Sequence, residues 1–337
     1  MRFGPVALGE AEGAVLAHAL SLPGGKLKKG RVLSAADVAA LAAAGFERVI
    51  VARLEPGDVA EDAAAARLAA ALVPDPEAAG LRIEAPFTGR VNIRATGPGV
   101  IALDAGAIAR LNAVDPMITL ATVPEWQRVT DGTMVGTVKI IAYGVAEAAL
   151  DAACAAGTGA IARRGPVCGS ADLIVTETAP GMAAAEDKGI RAVWERVARL
   201  GVAEGALRIV AHEAGAVAGA IAASRAGMVL VLTGSATSDI ADVVPSGIAA
   251  AGGEVIRFGM PVDPGNLLVL GRIGARPVIG LPGCARSPAL NGADWVLERL
   301  ACGVAVTGAD IAAMGVGGLL KEIPTRPQPR ERKITLP

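Results

Sequence analysis

Residues 228–232, MVLVL, are apolar without interruption; residues 233–238 are small and hydroxyl-rich, and Asp239 and Asp242 then open an Ala-rich stretch. A short apolar run bounded by turn residues predicts a buried strand, and the small and acidic residues after it predict a tight loop and a helix start. The same alternation recurs upstream, with strands predicted over 173–175 and 207–210 and helices over 189–200 and 214–224. Downstream, a helix to about 251 ends at Gly252 and Gly253, and strands are predicted over 254–258 and 277–281. A last helix is predicted to reach about 302, with Ser287 as N-cap and Pro288 at its first position. Strands alternating with helices predict a mostly parallel sheet covered on both faces, whose ligands gather at the carboxyl ends of the strands. Thr176, Glu177 and Thr178, His212 and Glu213, and the 233–239 loop all come after predicted strands, so they are expected on one rim.

The earlier chain has a different rhythm. Residues 1–75 read as a small α/β lobe: Ser34 to Asp37 has the form of a capping box, Gly45 closes its helix, residues 48–54 are β-rich, and a second helix is predicted over 63–72. Lys26, Lys28, Lys29 and Arg31 cluster beside the first cap, as a solvated turn or a surface facing an anion. Pro74 and Pro76 break the pattern. Residues 76–165 then read as a β-rich domain with a linker helix: short strands over 81–83, 89–93, 100–103, 117–123 and 133–141, a short helix over 104–112, and a helix over 145–155. Asp104, Asp115 and Asp131 lie near its turns, where Asp serves chiefly as a local cap. The αβα domain is expected over 166–322, and 323–337 is a Pro/Arg-rich tail.

Composition narrows the classes. A hydrophobic content of 53% supports real cores, and with only 2% aromatics the packing must rest on Ala, Val, Leu and Ile. A net charge of −1 leaves no broad basic surface for nucleic acid, and no uncharged apolar run approaches the roughly 20 residues of a membrane helix. The four cysteines, Cys154, Cys168, Cys284 and Cys302, lack C-x-x-C spacing, which argues against a structural zinc site and fits a reducing cytoplasm.

The candidate chemistry centres on the 233–242 loop. Its backbone N–H groups and hydroxyls, at the positive end of a helix, suit an anion such as phosphate, although the same residue types also serve simply to turn and cap. Cys284, a thiol at a predicted helix start beside Arg286, is either a reactive group with a lowered pKa or a small packing residue. His212 is either a satisfied polar group or a base.

Three blocks in fixed order carry a resemblance: TGSATSDIADVVPSGIAAAGGEV (233–255), GMPVDPGNLLVLGRIGARPVIGLPG (259–283) and CARSPAL (284–290). Together they resemble the molybdopterin-binding family, the molybdopterin molybdenumtransferases and gephyrin E-domain relatives, and LKKGRVLSAADVAALAAAGFERVIVA (27–52) is similar to the lobe that precedes this domain in the transferases. The resemblance implies a three-layer αβα molybdopterin-binding domain with a mostly parallel sheet, preceded by the α/β lobe and the β-rich domain. It also implies a cytoplasmic, homodimeric protein of molybdenum cofactor biosynthesis, acting in molybdenum insertion or in cofactor hand-over to a later-step enzyme. The alternative is a non-catalytic carrier or scaffold.

On that resemblance the ligand is molybdopterin or its adenylylated form, with molybdate and Mg²⁺ as possible companions. The ligand-holding positions are Thr233, Gly234, Ser235, Ala236, Thr237 and Ser238, then Pro264, Gly265 and Asn266, then Pro282, Gly283, Cys284 and Ser287, with Glu177 after the first strand. Asp242 and Asp239 are the implied catalytic acids, Asp242 also holding Mg²⁺ against the phosphate. Three departures stand out: Gly234-Ser235 where the transferases usually carry Gly-Gly, Asn266 where they carry lysine, and Cys284-Ala285 where they carry Asn-Pro. Backbone donors tolerate such changes, whereas transition-state charge stabilisation does not.

Overall fold

A computed structural model of the chain describes residues 1–182, 187–263 and 265–320. Pro264 and the 323–337 tail lie outside the described residues. The chain divides into two compact units, one made of Met1–Gly97 with Ile101–Arg163, the other of Pro98–Val100 with Arg164–Pro337. Among the described residues, no helix is long and apolar enough to cross a membrane.

In the first unit, strand Arg48–Arg53 lies between Arg2–Ala7 and Val15–Leu16, antiparallel to both. Helix Ala35–Ala43 begins at a capping box in which Ser34 accepts from the Asp37 amide and Asp37 accepts from the Ser34 amide. Asp37 also binds Arg31 at 2.8 Å, and this pair with the Ser34 donors holds its carboxyl down at about 2. A carboxyl depressed in the folded state contributes stability that is present above its unfolded value, near 3.9, and is lost as pH falls through the folded value. We therefore expect the stability difference between the wild type and Asp37→Asn to shrink as pH is lowered from about 4 to about 2 in chemical-denaturation series.

Helix Glu61–Leu72 buries Leu68 and Leu72 in the same core as Val91, Ile93, Val138 and Ile140. One core therefore runs across residue 75, and this helix packs with the β-rich region rather than with the first sheet. That region's sheet has the order Ile118–Thr122, Met134–Ile140, Arg90–Ala95, Leu81–Ile83. Asp104 caps helix Ala105–Asn112 and Asp115 closes a turn on Met117, both local roles.

The second unit alternates as the apolar pattern predicts: β1 Ser170–Glu177, α1 Lys188–Arg199, β2 Ala203–Ala211, α2 Ala214–Ala223, β3 Met228–Leu232 and α3 Val243–Ala250. It continues with β4 Glu254–Met260, β5 Asn266–Ile273, β6 Arg276–Leu281, α4 Gly292–Ala301 and α5 Gly308–Ala313. The six strands form one sheet in the order β2-β1-β3-β6-β5-β4, parallel from β2 to β6 and antiparallel at β6–β5 and β5–β4. Strand β5 is not among the strands expected from sequence, although LLVL within it is apolar. Only Gly274 and Ala275 separate it from β6, and a two-residue link admits only an antiparallel hairpin; Gly274, at φ +57°, supplies the turn.

Alternate residues of the sheet feed two cores. Leu173, Leu230, Leu270 and Ile279 face Val193 of α1 and Val296 of α4, whereas Ile174, Val229, Val231 and Val269 face Val217 of α2 and Ile248 of α3. Every residue of β3 is buried, as a central strand covered on both faces requires. Truncating Leu230 to alanine is expected to cost about 2–5 kcal/mol in urea unfolding, the range for a core Leu→Ala change.

The predicted helix from Pro288 does not form. Residues Gly283–Arg286 make a 3₁₀ turn, Ser287 is extended at φ −91°, ψ 145°, and α4 begins only after Asn291, in a capping box with Asp294. The Ser287 carbonyl accepts from Arg196 Nη2 at 2.6 Å, so a side chain takes the place of the first helical amide.

Candidate functional site

Register alignment sets the rim. Val175, Leu232 and Leu281 are neighbours across β1, β3 and β6, and Glu177 pairs with Ala211 at the end of β2. Thr176 and Glu177, His212, the 233–242 loop and Pro282 with Gly283 therefore leave the sheet at one edge.

Thr176, only 1% exposed, is the hub. Its Oγ1 accepts the Gly234 amide at 2.9 Å and lies 2.8 Å from His212 Nδ1, tying the loop after β3 to the residue after β2. The His212 amide in turn donates to the Glu177 carbonyl at 2.8 Å. His212 is thus oriented through one ring nitrogen, and it lines a cavity of about 360 Å³ together with Glu177, Thr178 and Glu213.

The loop closes on itself. Asp242 caps α3, accepting from the Val243 amide at 2.7 Å, and its other oxygen accepts from the Ser238 amide at 2.8 Å. These amides, Ser238 first, hold the Asp242 carboxyl below the ordinary aspartate value. Asp239 accepts from the Ala241 amide at 2.8 Å. With Gly234 and Ser238 engaged, the amides of Ser235, Ala236 and Thr237 are the donors left along residues 234–238, among the described residues. Thr233 and Thr237 are buried, and Ser235 and Ala236 are exposed. We expect Asp242→Ala to cost roughly 1 kcal/mol through the lost cap. It should also raise amide hydrogen exchange at Ser238, since that donor loses its acceptor.

Asn266, buried, uses Oδ1 to accept from the Leu268 amide at 3.1 Å, and its Nδ2 lies 4.0 Å from Cys284 Sγ. The two sequence blocks after the loop thus meet at this pair. Cys284 belongs to the 3₁₀ turn rather than to a helix start, and desolvation pushes its thiol up, against the lowered-pKa alternative of the two that the sequence offers. Pro282 is buried before the turn, Gly283 is exposed, and Ser287 Oγ accepts from the Ala289 amide at 3.3 Å. Gly265, at φ +90°, precedes β5.

Two side chains at this rim are not expected from sequence as ligand groups. Arg286 reaches across to donate to the Thr233 carbonyl at 2.9 Å and pairs with Asp187 at 3.3 Å, while Asp187 caps α1 through the Gly189 and Ile190 amides. They line a cavity of about 100 Å³ with Thr176, Glu177, Thr178 and Gly234. The signal available in the sequence is the apolar period of α1, which places its cap at Asp187. Among the described residues, no group of three or more His, Cys, Asp or Glu side chains is placed to hold a metal ion.

A family model described as a domain of unknown function (DUF8806) matches residues 5–53. No curated protein matches the chain. Among solved structures, the chain is similar to the molybdopterin biosynthesis MoeA protein from Pyrococcus horikosii, at 14% identity and a TM-score of 0.32, over 89% of this chain and 75% of that one. It is also similar to a molybdenum cofactor biosynthesis protein B, at 14% identity and a TM-score of 0.28, over 41% of this chain and 95% of that one.

Proposed function

We propose that this chain is a molybdopterin-binding protein of molybdenum cofactor biosynthesis, acting in molybdenum insertion or cofactor hand-over, with 166–322 as a three-layer αβα binding domain. The observation that carries the proposal is the convergence, on one rim of the sheet, of the 233–242 loop with Asn266, Pro282 and Cys284, drawn from the three blocks that carry the resemblance although Asn266 and Cys284 are themselves departures from it. On this reading the amides of Ser235, Ala236 and Thr237, with the loop hydroxyls, receive the ligand's phosphate. A cytoplasmic location and a homodimer belong to the same reading.

The alternative, a carrier that binds without converting, is favoured by the state of the side chains. Asp242 spends both carboxylate oxygens on backbone amides, those of Ser238 and Val243, and Asn266 supplies no charge where a polyanion is to be transformed. The carboxylate of Asp242, with each oxygen accepting a backbone amide, does not fit a magnesium cage.

Gel filtration of the purified chain with molybdopterin at micromolar concentration is expected to show co-elution. Free elution of the pterin overturns both readings. Molybdate-dependent conversion of the bound pterin then selects the enzyme, and retention without conversion selects the carrier.

A further inference from the structure

The basic cluster of the first unit borders a groove that the loop chemistry does not use. Strands Leu20–Leu22 and Gly25–Leu27 form a two-stranded hairpin turned by Pro23 and Gly24, and with helix Ala35–Ala43 it walls a cavity of about 430 Å³. Leu22, Pro23 and Leu27 form one side and Ala40, Ala43 and Ala44 the other, and Lys26 is the one charged or polar side chain among the described residues that line it. A Cβ built on Gly24 or Gly25 meets nothing within 4 Å, so the groove is open at the hairpin tip.

Two features set the groove apart from an ordinary solvated surface. A helix on the outside of a domain presents charged or polar side chains away from its core. Here every exposed position of Ala35–Ala43 is alanine, and the helix's one polar side chain, Asp37, is buried in its cap. The second feature is charge. Arg31 is spent on Asp37, whereas Lys26, Lys28 and Lys29 are exposed and form no ion pair among the described residues. Lys28 and Lys29 follow Leu27 directly, so three uncompensated positive charges lie on or next to the strand that forms the aliphatic side.

The chemistry selects the occupant. The volume is nearly three times the roughly 150 Å³ that holds a benzene-sized group, which is room for two or three aliphatic side chains. A small-molecule site adds several convergent polar groups inside to fix orientation, and this groove has a single charged side chain, itself exposed. The match is a segment that is apolar in the middle and acidic at its margin. We propose that this groove is a docking surface for an amphipathic helix of a partner protein, whose leucine-sized side chains enter between the hairpin and Ala40 and whose acidic residues face Lys26, Lys28 and Lys29. The surface belongs to the first unit alone and does not depend on the reading of the 233–242 loop.

The test is a fluorescence-anisotropy titration of the full chain with a labelled helical peptide of leucine and glutamate, about 15 residues long, beside a leucine–lysine peptide and a serine–glutamate peptide. The leucine–glutamate peptide is expected to bind at micromolar concentration, and more weakly as NaCl rises from about 50 to about 500 mM, since exposed charges are screened. The other two peptides are expected not to bind. The triple variant Lys26→Glu, Lys28→Glu, Lys29→Glu and, separately, Ala40→Glu, which sets a carboxylate on the alanine side, are each expected to weaken binding about tenfold or more. Their melting temperatures should stay at the wild-type value, because all four positions are exposed. No binding of the leucine–glutamate peptide up to millimolar concentration, wild-type affinity in both variants, or equal binding of the leucine–lysine peptide overturns the proposal. Two other occupants have their own signatures, and either overturns it as well. Retention on phosphatidylcholine–phosphatidylglycerol vesicles that the triple variant loses assigns the groove to an anionic membrane, and self-association that Ala40→Glu abolishes assigns it to a second copy of the chain.

Discussion

Replacing Arg196 with methionine is expected to lower the unfolding free energy by about 3–5 kcal/mol, the cost of removing one partner from a buried ion pair. Arg196 is 6% exposed and uses its whole guanidinium fork. Nε donates to Asp294 at 2.5 Å, Nη1 to the carbonyls of Ala192 and Ala285, both at 2.9 Å, and Nη2 to those of Ser287 at 2.6 Å and Ala289 at 2.9 Å. Its loss strands the Asp294 charge and leaves carbonyls of the 285–289 segment without a donor. The same segment carries the second half of the candidate rim, so ligand retention should weaken alongside stability. In the double variant Arg196→Met, Asp294→Asn, about half or more of the lost stability is expected to return, because the uncompensated charge is gone while a cap for α4 remains. A single-variant loss below about 1 kcal/mol in urea unfolding would contradict the burial argument.

This arginine illustrates the limit of periodicity. The apolar positions of α1 place Ile190, Val193 and Val197 on the core, and an Arg in such a helix reads as a solvated neighbour. Its burial comes from carbonyls that lie roughly ninety residues further along the chain, brought back by β6 and the 3₁₀ turn. Composition and spacing hold no record of that return. The same arginine explains the misplaced helix: Ser287 and Pro288 have the local chemistry of a helix start, but a tertiary donor captures the Ser287 carbonyl and the chain waits for Asn291.

The rim itself is legible because each of its parts obeys a local rule. Buried β3, predicted over 228–232, occupies Met228–Leu232, and Thr176, His212 and Thr233 lie at the ends of parallel strands as expected. What the chain order does not reveal is how polar side chains at such a rim are spent. Asp242, which resemblance marks as a catalytic acid and metal ligand, accepts one amide of its own loop and one of α3, and Asn266 accepts one from its own strand. Arg286, just before a helix cap that does not form, turns to Thr233 and Asp187. Strand β5 escapes a local reading because LLVLGRI, between Gly265 and Gly274, is the return arm of a hairpin in a region whose rhythm is otherwise parallel.

Gly234→Ala is expected to weaken ligand binding about a hundredfold, roughly 2.7 kcal/mol. A Cβ built on Gly234 lies 2.6 Å from the Thr176 carbonyl oxygen and 3.3 Å from Glu177 Cα. These are backbone atoms of β1, a strand paired on both sides, so relief must come from the loop moving outward. Outward movement breaks the 2.9 Å bond from the Gly234 amide to Thr176 Oγ1 and carries the Ser235, Ala236 and Thr237 amides off their aim. Charge-assisted hydrogen bonds contribute about 1.5–3 kcal/mol each, so misdirecting one or two accounts for the expected loss. Thr176 separates this from general damage. Thr176→Ser keeps the hydroxyl and is expected to bind nearly as the wild type does, whereas Thr176→Val strips the acceptor from Gly234 and the partner from His212 Nδ1 and should behave like Gly234→Ala. Calorimetric titration with molybdopterin, beside melting curves for all three variants, decides the matter. If Thr176→Val binds like Thr176→Ser, the buried hydroxyl does not set the loop, and the glycine matters only as a space that must stay empty.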